Sequence, residues 1–181
     1  MAAIVSGDIK FRLSTTVGNT GSQLVQSDVN QSLGKNISRT DIVDATLNNL
    51  FDDISGDENA ASTIDYRCFF VLNTNPTNTL ISPVVLISAF TSGGASGAIG
   101  VDGFAATFSG ILGPQAVQIA NELTAPTGIV FSRPLSKATG LPLGNIPPSA
   151  CKAIWVKRMA TNSAAVNNDG LTIRVEGDTQ A

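Results

Sequence analysis

Residues 66–72, YRCFFVL, have the composition and the alternation of a β-strand. Their side chains form two sets on opposite sides, Tyr66, Cys68 and Phe70 against Arg67, Phe69 and Val71. A second strong strand is predicted over residues 150–158, ACKAIWVKR, and a closing strand over residues 171–176, LTIRVE, with Leu171, Ile173 and Val175 inward. Together these three stretches indicate antiparallel β-structure in which most strands have one buried face and one solvated face.

The rest of the chain adds short strands between turns rich in Gly, Pro and Asn. Strands are predicted over residues 8–14, 80–90, 117–123 and 129–132. Residues 91–103, TSGGASGAIGVDG, and residues 133–149 are predicted to be loops. Seven or more short strands joined in this way are typical of an all-β fold, here an antiparallel β-sandwich expected to be jelly-roll-like.

The N-terminal part of the chain is polar between residues 14 and 38, where apolar side chains are isolated and not strongly periodic. A stretch of this kind cannot organise a core of its own. We therefore expect residues 1–40 to form an N-terminal strand and an extended arm that is disordered in the isolated subunit. Residues 41–181 are expected to form the β-sandwich domain.

One short helix is predicted within residues 40–54, TDIVDATLNNLFDDI. Its apolar residues follow the i, i+3, i+4, i+7 spacing that places side chains on one helical face: Leu47, Leu50, Phe51 and Ile54. The pair Ser55-Gly56 is expected to end this helix, because glycine is common just past the last helical turn.

The composition argues against several classes of protein. The chain has 181 residues, of which 14% are charged and none is histidine. Catalysis by Ser-His-Asp or Cys-His groups and zinc binding by histidine are therefore excluded. The net charge of −3 disfavours a nucleic-acid partner. The apolar run at residues 83–90 is too short to span a membrane, and we expect neither a targeting signal nor a membrane partner.

Sequence motifs for catalysis are missing. The glycines of residues 93–103 match no phosphate-binding loop, and the sequence has no GxSxG. Trp155 is expected to pack in the core, and Cys68 and Cys151 are expected to be buried free thiols, with a disulfide between them left open. We expect no enzyme activity, no cofactor and no metal, with calcium binding by the acidic residues of 52–58 as an open alternative.

Charge is segregated along the chain. Residues 41–65 contain seven acids and no base, whereas residues 123–168 contain five bases and no acid. These segments either neutralise each other within one subunit or form complementary patches between neighbouring copies. The second interpretation makes eight residues candidate inter-subunit contacts: Asp52, Asp53, Asp57, Glu58, Arg133, Lys137, Lys157 and Arg158.

Three stretches resemble a group of virion structural proteins of tailed bacteriophages. They are SLGKNIS at residues 32–38, TLNNLFDDISGDENAASTIDYRCFFVLNTN at residues 46–75, and AIWVKR with NNDGLTIRVEGDT within residues 153–179. The group typically carries LFDDVSGDEA-like, YRC-containing, WVRR-like and RVEGDT-like stretches, and tends to have Gly-Asp before the Tyr, where this chain has NAASTID. Residues 80–149 match little of the group, and no functional residue can be carried over. The resemblance implies a structural role in the head, collar or tail.

From this resemblance and the small, low-charge, all-β chain we expect a capsid decoration, or cement, protein. Its partners would be copies of itself and other virion proteins, above all the major capsid protein. Its location would be the virion, after assembly in the host cytoplasm. A tail, collar or baseplate protein is the close alternative. A carbohydrate-binding host-adhesion module is less favoured, because the chain has one Trp and one Tyr.

Overall fold

The computed structural model describes residues 3–21 and 24–179, and in it the chain is mostly antiparallel β-structure, as predicted. It has nine strands within these residues: β1 (Ile9–Thr15), β2 (Asn36–Asp41), β3 (Ile64–Asn73), β4 (Leu80–Phe90), β5 (Ser96–Val101), β6 (Thr107–Phe108), β7 (Leu141–Pro142), β8 (Ala150–Met159) and β9 (Leu171–Thr179). One α-helix, α1, spans Gly56–Ala61, and short 3-10 helices span Ser6–Asp8, Val29–Gln31 and Lys137–Thr139. No helix of the described residues is long and apolar enough to cross a membrane.

The larger sheet has six strands, in the order β2-β1-β3-β8-β5, and β6 also pairs with β8. Its centre is the antiparallel pair of β3 and β8, which runs without a register shift from the pair Ile64 and Met159 to the pair Leu72 and Cys151. These are the two strands with the strongest sequence signals. The smaller sheet has the order β7-β4-β9.

The larger sheet is covered on both faces, so the molecule has two apolar cores. The sandwich core lies between the sheets and contains Phe69, Val71, Leu80, Val85, Ile87, Ile99, Leu143, Ile146, Ala150, Ile154 and Val156. The layer core lies on the other face and contains Ile37, Tyr66, Cys68, Phe70, Leu72, Ala116, Ile119, Cys151, Ala153 and Trp155. The irregular layer, residues 102–131, covers this second core, and β6 is the only strand in it. Of the two sets of side chains predicted for residues 66–72, Tyr66, Cys68 and Phe70 therefore lie in the layer core, and Phe69 and Val71 lie in the sandwich core.

The predicted helix is wrong in position. Residues 43–54 contain no helix, because Ala45 and Asn48 have left-handed backbone angles (φ 56° and 57°) that interrupt one. Ser55 begins α1 instead of ending a helix. Its hydroxyl accepts a hydrogen bond from the Glu58 N–H, and the Glu58 carboxylate accepts one from the Ser55 N–H. This arrangement is a capping box, the signature of a helix start.

The interpretation of residues 14–38 as an extended arm needs correction. β1 lies between β2 and β3 in the larger sheet, so residues on both sides of position 40 build one sheet. Residues 32, 36, 37 and 38 are fully buried. The N–H of Cys68 donates to the Ser32 carbonyl, and the N–H of Ile119 donates to the Leu33 carbonyl. The segment lacks a core of its own because it completes the layer core.

The predictions for one loop, residues 91–103, and for two strands, residues 117–123 and 129–132, are also wrong in part. Part of the glycine-rich segment is β5, and its glycine content serves close packing. A Cβ on Gly100 would lie 2.5 Å from a side-chain carbon of Ile129 and 2.9 Å from the Val130 carbonyl oxygen. Residues 117–123 and 129–132 are not strands and make only isolated bridges, at Gln118 and Ser132. Ile119 is part of the layer core, and Val117, Ile129 and Phe131 pack against it.

Candidate functional site

The eight predicted contact residues lie in three places. Asp52, Asp53, Asp57 and Glu58 lie between β2 and β3, and the last two belong to α1. Arg133 and Lys137 lie on the exposed connection that precedes β7, and Lys157 and Arg158 lie at the end of β8. The structure brings Asp52 and Arg158 together within one chain.

Arg158 joins the acidic and basic segments inside the subunit. Its guanidinium forms ion pairs with the buried Asp65 carboxylate at 2.7 Å and with Asp52 at 3.4 Å. It also lies over the Phe51 ring, 4.6 Å from the ring centre. These contacts cross the end of the β3–β8 pair and attach residues 51–52 to it. For these residues the charge segregation supports the intramolecular interpretation.

A second arginine is more deeply buried, and no sequence pattern marks it as functional. Arg67 is 1% exposed and pairs with the carboxylate of Glu122, which belongs to the irregular layer. Its guanidinium also approaches the Phe51 ring at 5.7 Å. The N–H of Tyr66 donates to the Glu122 carbonyl. The end of β3, which β1 does not reach, is therefore covered by the irregular layer.

Glu58 has a structural role in the capping box. Hydrogen bonds from the Ser55 N–H and from the Ser55 hydroxyl lower the pKa of the Glu58 carboxyl. Among the described residues, no group of three or more His, Cys, Asp or Glu is placed to hold a metal ion. The four predicted acids thus do not converge on one point.

The other predicted contact residues remain on the surface. Arg133 lies over the ring of Phe90 at 4.0 Å. Within the described residues, no ion pair involves Asp53, Asp57, Arg133, Lys137 or Lys157. Their charges are therefore available to a second molecule, and for this subset the inter-subunit contact stays a prediction.

The irregular layer carries a run of exposed apolar side chains that the sequence patterns do not single out. Phe104, Phe108, Ile111 and Leu112 are 39%, 58%, 41% and 78% exposed. We call residues 104–112 the apolar segment. A concentration of exposed large apolar side chains is typical of an interaction surface.

Asp102 fixes the layer on which the apolar segment lies. It follows β5, is 2% exposed, and its carboxylate accepts three hydrogen bonds. The donors are the indole Nε1 of Trp155 at 2.9 Å, the N–H of Val117 at 3.0 Å and the N–H of Phe104 at 3.0 Å. One carboxylate therefore ties both ends of residues 104–117 to the central strand β8.

Lys152 of β8 holds the same chain from the other side. It is 7% exposed, and its ammonium donates to the carbonyl oxygen of Asp102 at 2.7 Å and to that of Phe104. Burial lowers the pKa of the Lys152 amine, and the negative charge of Asp102 opposes this effect. The backbone carbonyls of residues 102 and 104 lie outside any strand, and Lys152 supplies hydrogen-bond donors for both.

Gln115 is the third buried polar side chain of this group. Its amide donates to the carbonyl oxygens of Phe108 at 3.1 Å and Ser109 at 3.3 Å, while its oxygen accepts from the Ile37 N–H at 3.0 Å. We call Asp102, Gln115 and Lys152 the polar clamp. It fixes the backbone beneath the apolar segment at residues 102, 104, 108 and 109.

The sequence contains one partial signal for the clamp. A buried Trp usually needs an acceptor for its indole N–H, and the prediction that Trp155 is a core residue is confirmed, since it is fully buried. Its acceptor lies 53 residues away in the chain, which no local pattern indicates. Cys68 and Cys151 are buried free thiols, as predicted. Burial raises the pKa of both, that of Cys151 to about 12.

Comparison with known proteins returned no match: no family model, no curated protein and no solved structure is significantly similar to the chain. The functional interpretation therefore starts from the clamp, the apolar segment and the unpaired surface charges. What these arrangements offer chemically is contact with another macromolecule.

Proposed function

We propose that the chain is a structural protein of a bacteriophage virion, and within that class a capsid decoration protein that stabilises the head lattice. The observation that carries the proposal is the apolar segment, four exposed large side chains on a backbone fixed by buried polar groups. The phage-like stretches at residues 32–38, 46–75 and 153–179 point in the same direction.

Rigid presentation is what distinguishes the apolar segment from an ordinary loop. A flexible loop loses conformational entropy when it binds, which weakens the complex. Here the polar clamp has already ordered the backbone at residue 108, and a backbone bridge to Thr20 holds residue 112, so Phe108 and Leu112 can be buried at little further entropic cost. On this proposal their partner is the major capsid protein, and many copies of a modest contact add up over the lattice.

The unpaired charges supply orientation on this proposal. Asp53 and Asp57 lie on one part of the surface, and Arg133, Lys137 and Lys157 on others. Complementary charges between neighbours select a register more than they add affinity. The jelly-roll-like connection of the β-sandwich belongs to the same proposal, since small repeated capsid components use compact β folds.

There are two alternatives to a decoration protein, and the structural observations disfavour only one of them. A tail, collar or baseplate protein would use the same apolar segment and charges on another virion partner. A carbohydrate-binding adhesion module needs exposed aromatic platforms, but Trp155 and Tyr66 are buried, and the exposed aromatic side chains among the described residues are those of Phe90, Phe104 and Phe108. We therefore place the adhesion module last.

The test is electron cryo-microscopy of virions produced with and without the gene. A decoration protein predicts that the heads still form and keep their tails, but lose density on their outer surface and tolerate less heat. Tailless heads would instead support the tail or collar alternative. Absence of the chain from purified virions, measured by mass spectrometry, would overturn the proposal as a whole.

A matched pair of variants tests the surface itself. Purified protein is added back to virions that lack it, and occupancy is measured. Leu112→Asp, in the apolar segment, is expected to abolish rebinding. Leu47→Asp is the control, since Leu47 is 66% exposed against 78% for Leu112 and lies in a different part of the chain. Equal rebinding of both variants would contradict the role of the apolar segment.

A further inference from the structure

The strand β9 is a long edge strand whose outer backbone edge has no partner among the described residues. It pairs with β4 on one side over residues 171–179. On the other side, no backbone hydrogen bond from β9 to any described residue is found. At the end of β9 the Ile4 N–H donates a hydrogen bond of 3.2 Å to the Thr179 hydroxyl, which is a side-chain group and not part of the backbone edge. Edge strands of this length invite pairing with another chain.

The other edges of the two sheets are protected. At the edge of β2, the Arg39 N–H donates to the Val25 carbonyl at 2.8 Å. At the edge of β5, Ile99 and Ser132 exchange two backbone hydrogen bonds of 2.9 Å. β7 has only two residues. The open edge at β9 is therefore an exception within the part of the molecule that the structure describes.

The sequence of β9 is complementary to itself when two copies run antiparallel. Val175 is the midpoint of Leu171–Thr179. A two-fold axis through Val175 pairs all nine residues, and it places Arg174 of each copy directly opposite Glu176 of the other. Directly opposite charges on one face stabilise a strand pair. Both side chains extend from the same side of β9, where they form an ion pair of 3.2 Å within the chain.

We propose that two copies of the chain associate through β9 and join their three-stranded sheets into one continuous six-stranded sheet. The inward side chains support this register. Ile173 would face Gly177 of the second copy, a small residue, and Val175 would face its own counterpart. The inference goes beyond the virion role and concerns the purified chain alone.

Exchange of the two charges tests the pairing. In the Arg174→Glu variant, the glutamate at position 174 of each copy would face Glu176 of the other copy, so that like charges meet at two places in the dimer. In the Glu176→Arg variant, two arginines would face each other at the same two places. By sedimentation velocity we expect each single variant to dissociate at least about tenfold more readily than the natural protein. The double variant Arg174→Glu/Glu176→Arg restores opposite charges and is expected to dimerise again.

Mixing the two single variants is the sharper measurement. At a concentration near the dissociation constant of the natural dimer, each is expected to be mostly monomeric alone. In the mixture, both carboxylates of the Arg174→Glu chain lie opposite both guanidinium groups of the Glu176→Arg chain, so a heterodimer should form in native mass spectrometry. Arg39→Glu is the matched control, since Arg39 is exposed on the covered edge strand β2, and it should leave dimerisation unchanged. Unchanged melting temperatures show that the variants are folded.

A natural protein that stays monomeric at all concentrations would overturn the proposal. So would a dimer that neither charge change weakens. Neither outcome bears on whether the chain is a virion component, because the association experiment contains no virion. Conversely, a chain absent from virions could still dimerise through β9.

Discussion

The two faces of the central β3–β8 pair are covered in different ways. On the sandwich side, β4 brings Val85 and Ile87, and its backbone is satisfied by pairing with β7 and β9. On the opposite side, residues 102–131 cover the sheet in irregular conformation and contribute to it only the two-residue strand β6. There the backbone is fixed by the polar clamp, in which Asp102 and Lys152 are almost fully buried.

This difference shows what an irregular layer needs. A sheet packs by apolar contact alone, because its ladder of hydrogen bonds satisfies the backbone internally. An irregular chain exposes backbone groups to the core, and each one needs a partner from elsewhere. Buried charged and amide side chains supply these hydrogen bonds, and in this way they make an irregular surface such as the apolar segment rigid.

The largest effect is expected from Asp102→Ala. It leaves the donors of Phe104, Val117 and Trp155 buried without an acceptor. The free energy of unfolding is expected to fall by about 3–5 kcal/mol. Asp102→Asn keeps one acceptor oxygen and should cost about 1–2 kcal/mol. Urea denaturation measures both, and equal losses for Ala and Asn would contradict the role given to the acceptor oxygens.

Ile87→Ala makes the corresponding change on the sandwich side. Ile87 is 1% exposed, so the variant leaves a cavity in the sandwich core. We expect a loss of about 2–4 kcal/mol, without an unsatisfied polar group. Unlike Asp102→Ala, it should leave binding through the apolar segment intact once the protein is folded. Equal impairment of binding by both variants would remove the distinction between the faces.

Comparison with Lys152→Met tests the effect of the buried Lys152 on the pH dependence of stability. Burial lowers the pKa of Lys152 in the folded protein below its ordinary value of 10.5. Between these two values the unfolded chain binds a proton that the folded chain does not, so stability rises with pH. The natural protein should therefore gain stability relative to Lys152→Met as the pH rises from the lowered pKa towards 10.5. A constant difference between the two urea midpoints over this alkaline range would contradict this assignment.

The smallest effect concerns thiol labelling. Both cysteines lie in the layer core, and burial raises the pKa of each thiol, so few thiolates are available for reaction. In the native protein we expect slow labelling that depends on opening of the irregular layer. Asp102→Asn should accelerate it several-fold, whereas Ile87→Ala should accelerate it less. Fast labelling of the natural protein would show that the layer is not closed.

The regular part of the fold can be predicted from local pattern. β3, β4, β8 and β9 agree with the prediction because apolar alternation is a property of neighbouring residues. The prediction misplaces α1 because Leu47, Leu50 and Phe51 have helical spacing, whereas the start signal lies in Ser55 and Glu58. The pair Ser55-Gly56 is compatible with the end of one helix and with the start of another. The left-handed backbone at residues 45 and 48 excludes the earlier helix.

The candidate site cannot be predicted in the same way. Asp102 and Lys152 are 50 residues apart, and nothing near either residue indicates the other. The charge segregation does indicate that acids and bases meet, and Arg158 with Asp65 and Asp52 shows one such meeting inside the chain. Whether a carboxylate pairs internally depends on tertiary placement, which is why residues 53 and 57 differ from Asp52.

Hydrogen exchange measured by mass spectrometry tests most directly whether the polar clamp holds the irregular layer. Asp102→Asn is compared with the natural protein under conditions where both are folded. The account predicts that residues 103–119 lose protection by about tenfold or more, while β4 and β9 keep theirs. An unchanged irregular layer, or an equal loss of protection in β4 and β9, would contradict it.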